Sequence, residues 1–196
     1  MDRGMKPVLL SLVVFSFSLL GAEPKVVSSD KLQKRGKAGS QLTYIPNQDT
    51  PFTGKAVSFY DNGQKEAEVN YKDGKRDGLW TRWYKNGQKK SKGNCKDGKR
   101  DGLWTDWYEN GQKKSEENWK DGKLDGLGTG WYENGQKRAE ENWKDGKIMS
   151  AVVWKPDGEK CPVTNVKDGN GVLLWYNDDG TELDRWTYKD GYPVFD

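Results

Sequence analysis

Trp107–Gly128 reads WYENGQKKSEENWKDGKLDGLG, and 24 residues later Trp131–Ser150 reads WYENGQKRAEENWKDGKIMS. Six times in the chain an Asn-Gly or Asp-Gly turn is followed, 11 residues on, by a Lys-Asp-Gly turn. The paired turn glycines are 63/74, 87/98, 111/122, 135/146, 158/169 and 180/191. A period this short marks an array of small units rather than one globular core. Gly102–Tyr108 (GLWTDWY) is rich in aromatic and β-favouring residues and reads as a strand. Asn110-Gly111 then suits a two-residue hairpin turn, because both residue types tolerate positive φ. Gln112–Trp119 returns as the second strand, and Asp121-Gly122 turns the chain into the next unit. Parallel strands need long crossovers, so connections this short imply antiparallel neighbours.

The expected fold is therefore all-β: a repeat array of antiparallel β-hairpins stacked into a long single-layer meander sheet. About twelve strands at roughly 4.8 Å would span on the order of 55 Å. Alternation puts Trp80 and Tyr84 on one face and Leu79 and Trp83 on the other. The second strands carry small residues (Ala67, Ser91, Ser115, Ala139) that leave room for rings stacked from repeat to repeat. Each unit buries little alone, so neighbours stabilise it and the ends need caps.

Composition agrees. The chain has 196 residues, 32% charged and 12% aromatic, with a mean hydropathy of −1.06. That is polar for an ordinary core, yet ten Trp and nine Tyr are too many for disorder. The net charge of +3 is interleaved in sign, which argues against a nucleic-acid or membrane-surface binder. Residues 1–22 read as a signal peptide. Arg3 and Lys6 precede an apolar stretch from Pro7 to Leu20, too short for a comfortable span, and Gly21-Ala22 supplies small residues for cleavage. Met5 offers an alternative start, and an uncleaved anchor is the competing reading. The mature protein is expected to be exported, periplasmic or secreted, with no integral membrane span. Residues 23–39 are expected as a flexible linker, 40–53 as an N-terminal cap strand at Leu42–Ile45, 54–148 as regular repeats, and 149–196 as divergent repeats with a C-terminal cap. Cys95 occupies an aromatic slot and Cys161 lies nearly three repeats away, on the order of 25 Å at strand spacing. That is too far for a disulfide, so two free thiols are expected.

These units resemble the MORN-variant repeat family, whose YwqK-type members are commonly described as antitoxins of toxin–antitoxin pairs. The motif Y/W-x-N-G-Q-K-x-x-x-x-N-Y/W-K-D-G-K-x-D-G-L-W stands at Tyr84–Trp104, with Cys95 in its aromatic slot. It recurs with small departures at Tyr60–Trp80 and Tyr108–Gly128. Gly128 and Gly130 replace Trp and a polar residue in the fourth unit, and the fifth loses its Asp-Gly and gains Pro162. The resemblance covers roughly residues 42–196. It implies a single-layer sheet used as an interaction surface and transfers no catalytic residue. Export sits poorly with an antitoxin that guards cytoplasmic targets.

Chemistry is scarce. The absence of histidine removes the usual general base and the His-dependent nucleophile and zinc systems. Glu116-Glu117 and Glu140-Glu141 recur 24 residues apart, but a flat sheet offers no cleft for paired carboxylates. The Asp-rich turns at Lys167–Gly171 and Asn177–Gly180 do not match a calcium loop and are explained by turn chemistry. No catalytic residue, cofactor or metal site is expected. The candidate partner surface comprises Trp80, Tyr84, Trp104 and Tyr108, whose alternative is a structural ladder, with Lys89, Lys90 and Lys92. Those lysines belong to a second repeat, Tyr84–Trp107, of net charge +4, against zero in the unit before it and −1 in the unit after. The leading expectation is a non-enzymatic protein-interaction scaffold. An immunity protein or antitoxin, and a glycan or cell-wall module using Trp and Tyr ladders, are the alternatives.

Overall fold

The Lys-Asp-Gly turns are the tight ones. Asp73, Asp97, Asp121 and Asp145 have φ of 48–50°, and each is followed by a glycine with φ of 77–86°. Lys72 pairs with Lys75, and Lys96 with Lys99, across such turns. These are two-residue hairpins with both central residues left-handed. The Asn-Gly turns differ from expectation. Only their glycines have positive φ, and Gly111 N–H donates to Tyr108 O while Tyr108 N–H donates to Gln112 O. They are three-residue loops with glycine in the left-handed position. The asparagine works through its side chain instead: Asn110 Oδ1 accepts from Gln112 N–H at 2.9 Å.

In the computed structural model, which describes residues 25–195, these turns link a nearly all-β chain. The strands are β1 (Val26–Ser28), β2 (Gln33–Arg35), β3 (Leu42–Tyr44), β4 (Gly54–Phe59), β5 (Lys65–Lys72), β6 (Lys75–Trp83), β7 (Lys89–Lys96) and β8 (Lys99–Trp107). They continue with β9 (Lys113–Lys120), β10 (Lys123–Trp131), β11 (Lys137–Lys144), β12 (Lys147–Val153), β13 (Gly171–Tyr176), β14 (Glu182–Lys189) and β15 (Tyr192–Val194). Ten of them form one sheet, ordered β1, β4 and then β5 to β12 in sequence. From β4 onward every pair in it is antiparallel, which is the expected meander. The signal segment, residues 1–22, lies outside the described residues.

Both ends depart from the simple array. The expected linker, 23–39, carries structure: β1 pairs with β4 in parallel, and β2 pairs with β3. Val26-Val27 is short and β-branched, too brief to show a period, and Ser29 Oγ donates to Val57 O at 2.7 Å where the strand ends. Gly54 permits the approach, since a Cβ there would lie 2.3 Å from Lys25 O. The sheet edge is therefore covered by β1, while the expected cap strand, β3, receives the first turn through Thr43 N–H and Gly74 O.

At the other end the fifth unit fails to return as a strand. Pro162 has no N–H to give, and only isolated bridges such as Trp154↔Lys160 and Ser150↔Lys167 continue along β12. The sheet stops there, and β13–β15 form a separate three-stranded sheet. Leu173, Leu174 and Tyr176 bury against Ala139, Ile148, Ala151 and Val153, giving the thin array one hydrophobic core. Cys95 and Cys161 are both buried and free, as expected.

Candidate functional site

Cross-strand pairing defines two faces. The inner face, against which the C-terminal core packs, carries the row Val69, Trp80, Gly93, Trp104, Glu117, Gly128, Glu141 and Ala151. The outer face carries Leu79, Leu103 and Leu127 with Thr81, Thr105 and Thr129 between their strands' neighbours.

Repeats are stapled along the array by side chains, each with a fixed job. Tyr60, Tyr84, Tyr108 and Tyr132 donate their hydroxyls to Trp83 O, Trp107 O, Trp131 O and Trp154 O at 2.7–2.8 Å. Burial lifts the Tyr84, Tyr108 and Tyr132 phenols above their ordinary pKa. Asn62, Asn86, Asn110 and Asn134 amides donate to the next unit at Lys85 O, Glu109 O, Glu133 O and Pro156 O. The aspartate of each Lys-x-Asp-Gly accepts from the following turn, as in Asp121 N–H to Asp101 Oδ2 and Asp145 N–H to Asp125 Oδ2.

The expected ring-on-ring ladder is mostly a ring-on-cation ladder. Equivalent residues sit two strands apart, roughly 10 Å, beyond the 4.5–7 Å of a ring contact. The intervening strand fills the gap. Lys65, Lys113 and Lys137 lie over Trp83, Trp131 and Trp154, and Lys90, Lys114 and Arg138 over Tyr84, Tyr108 and Tyr132, at 5.2–5.7 Å. Trp80 and Trp104 do meet, at 5.0 Å, because Gly93 between them has no side chain; a Cβ there would stand 2.2 Å from the Trp104 ring.

The residues expected as one partner surface are distributed over different places. Trp80 and Trp104 lie on the inner face. Trp104 is 4% exposed, with Trp80 on it, Arg100 at 4.3 Å from its ring, and its indole N–H donated to Asn94 O. Tyr84 and Tyr108 are the staples at the hairpin turns. Tyr84 leaves the face of Trp80 because the register shifts between Arg82 and Trp83. Lys90 covers Tyr84. Lys89 and Lys92 alone lie on the outer face, opposite Trp83 and Thr81.

The outer face holds a feature that charge counting only hinted at. Lys65 pairs with Glu68, Lys113 with Glu116 and Lys137 with Glu140 at 2.5–2.8 Å. Position 92 is the equivalent of those glutamates and is lysine. Among the described residues Lys89 and Lys92 form no ion pair. On the strands flanking them Leu79 and Leu103 are 42% and 52% exposed, and Leu127, further along the sheet, is 46% exposed. The result is a cationic break in an otherwise neutralised row, next to a line of leucines.

The inner face holds a second feature, against the expectation that the sheet has no cleft. A cavity of about 340 Å³ opens over Gly128 and Gly130, walled by Trp143 and Trp175 with Glu117, Glu141 and Arg138 on its lining. Sequence reasoning noted the two glycines as departures and missed what they make.

A family model described as MORN repeat variant matches residues 52–73, 76–97, 100–121 and 124–152. The chain carries MORN repeat variants. The four matched segments run from Phe52 through β12, so MORN variant repeats account for the regular part of the ten-stranded sheet. MORN repeats are often protein-interaction or binding modules and are generally non-enzymatic. No curated protein matches the chain. Among the described residues no group of three or more Cys, Asp or Glu is placed to hold a metal ion, and no helix is long and apolar enough to cross a membrane.

Proposed function

We propose that this chain is an exported, non-enzymatic scaffold that recognises a protein partner through the outer face of its second repeat and the flanking Leu79. The observation that carries the reading is the break in the Lys–Glu row at Lys92. Neighbouring repeats neutralise the same position, so this one presents Lys89 and Lys92 unpaired beside Leu79 and Leu103. An interface of that kind suits an acidic partner surface with an apolar centre: charge steers and fixes register, and the leucines supply the buried area. Export rests on the Arg3–Ala22 segment. The immunity reading is the alternative, with a toxin in the exported compartment as its partner.

Two measurements test the proposal. Mass spectrometry of the exported fraction should find a mature chain beginning at Glu23. Cross-linked capture with purified protein should retain an acidic protein, and Lys92→Glu and Leu103→Asp should each abolish retention without lowering the melting temperature by more than a few degrees. Glycan-array binding with no retained protein, or capture that ignores both substitutions, would overturn it.

A further inference from the structure

Strands β8 and β10 differ on one face only. Lys99–Trp107 reads KRDGLWTDW and Lys123–Trp131 reads KLDGLGTGW. Every outer or turn-bound position is kept: Lys, Asp, Gly, Leu, Thr and Trp. The three replacements, Arg100 to Leu124, Trp104 to Gly128 and Asp106 to Gly130, occupy the inner-facing positions. Each equivalent is smaller. Together they remove an indole, the guanidinium that stacks on it and a carboxylate from one patch.

Neither Gly128 nor Gly130 is required by the backbone. Both lie inside β10 without positive φ, and a Cβ on either would meet nothing closer than 3.9 Å. Mid-strand glycine costs stability and packs nothing. Gly93 and Gly126 show the ordinary reasons for glycine in this array, a ring lying on it and a φ of 112°. Gly128 and Gly130 have neither reason, and the space they leave is kept open as the cavity.

The polar groups around that space constrain what fills it. Glu117 and Glu141 flank Gly128 across the strands. Each is oriented by an indole N–H two residues on, from Trp119 at 3.0 Å and Trp143 at 2.9 Å. Each therefore keeps acceptor capacity to spare. Arg138 is turned so that its guanidinium lies 5.0 Å over the Trp175 ring and donates to Tyr176 O. A simple cation would meet the Arg138 guanidinium on the same lining, and a simple anion would face two glutamates. A neutral ring bearing several hydroxyls both donates and accepts, and its apolar faces suit Trp143 and Trp175.

We propose that the cavity over Gly128 and Gly130 is a saccharide site that takes one pyranose ring, packed against Trp143 and Trp175 with hydroxyls donating to Glu117 and Glu141. The site lies on the face opposite Lys89, Lys92 and Leu103, so it stands or falls separately from the partner surface. Free sugar and the terminal residue of a glycan share this chemistry, and the test separates them.

The purified chain is titrated with glucose, galactose, N-acetylglucosamine and chitotetraose, following tryptophan fluorescence and the Trp143 indole N–H resonance. Saturable binding of at least one is expected. Tighter binding of the tetramer than of N-acetylglucosamine identifies a glycan end, and equal binding a free sugar. Gly128→Trp, which restores the residue of the sister repeats, should abolish binding with no loss of melting temperature. Glu117→Ala, which removes a hydroxyl acceptor from the lining, should weaken it at least tenfold. Leu103→Asp should leave it unchanged. If Gly128→Trp proves unstable, Gly130→Leu gives the same reading. Failure of every sugar to saturate, binding indifferent to both filling substitutions, or saturation by indole alone would each overturn the proposal.

Discussion

Glu141 shows most clearly how one position on this thin sheet carries consequences. Burial pushes its carboxyl above the ordinary glutamate range, and the Glu117 charge adds to that; the Trp143 indole N–H and Arg138 act in the opposite direction. A raised acid pKa means the folded state holds a proton that the unfolded chain has released. Stability therefore falls as pH rises, from about the ordinary glutamate value up through the folded one. Glu141→Gln keeps an acceptor for Trp143 and removes this slope. Its unfolding curves should match the parent at low pH and show a growing advantage by neutral pH, which denaturant titrations at successive pH values will read. Gly93 offers the converse case. Alanine there forces the Trp104 ring away, and overpacking of this kind costs about 1–3 kcal/mol. A melting temperature unchanged by Gly93→Ala would mean that the Trp80–Trp104 contact contributes little.

At the scale of the element, the two turn types invite reciprocal substitutions. Asp121 needs only a residue at ease with a φ of 50°, and asparagine is such a residue. Asp121→Asn should change stability by less than about 0.5 kcal/mol. Asn110 is not in a left-handed conformation. It works by accepting from Gln112 N–H and donating to Glu133 O, so Asn110→Asp keeps the first bond and loses the second, costing about 1 kcal/mol. Equal effects of the two swaps would contradict the distinction between the turns. The sequence shows both as an Xaa-Gly pair between strands, and the residue types alone favour the two-residue form at each. What separates them is the neighbouring repeat, which the asparagine amide reaches and which local propensity does not register. The strands themselves were legible because their period forces short connections. The β-bulge between Arg82 and Trp83 was not, and it moved Tyr84 out of the face assigned by alternation. The cavity was legible only as two unexplained glycines. Comparing Lys99–Trp107 with Lys123–Trp131 one face at a time would have located it, because the substitutions fall on alternate residues.

At the scale of the molecule, a regular array and a closed end obey different rules. Stability in the array is nearly a sum over neighbours, and the register of β6 on β7 is reproduced by β8 on β9. Deleting residues 76–99 joins Lys75 to Arg100, the same Lys-Arg step that the parent has at Lys99-Arg100, and removes β6 and β7 as one unit. The shortened chain should fold cooperatively with a modestly lower melting temperature, because one repeat interface is gone and no cap is touched. It should also lose the outer-face partner, since Lys89 and Lys92 go with the deletion, while the cavity between β10 and the C-terminal hairpin keeps its walls. Removal of the last strands has the opposite profile. Truncation after Gly169 takes away Leu173, Leu174 and Tyr176 and uncovers Ala139, Ile148, Ala151 and Val153, their partners in the C-terminal hydrophobic core. The full array of repeats would remain, yet its end would be an unpaired apolar surface beside a strand edge, a template for association. Circular dichroism melts and sedimentation will separate the two cases. The internal deletion is expected to be monodisperse and folded, the truncation aggregated or unfolded. The reverse result would place the stability of the chain in its repeats alone and leave the C-terminal hairpin without a structural role.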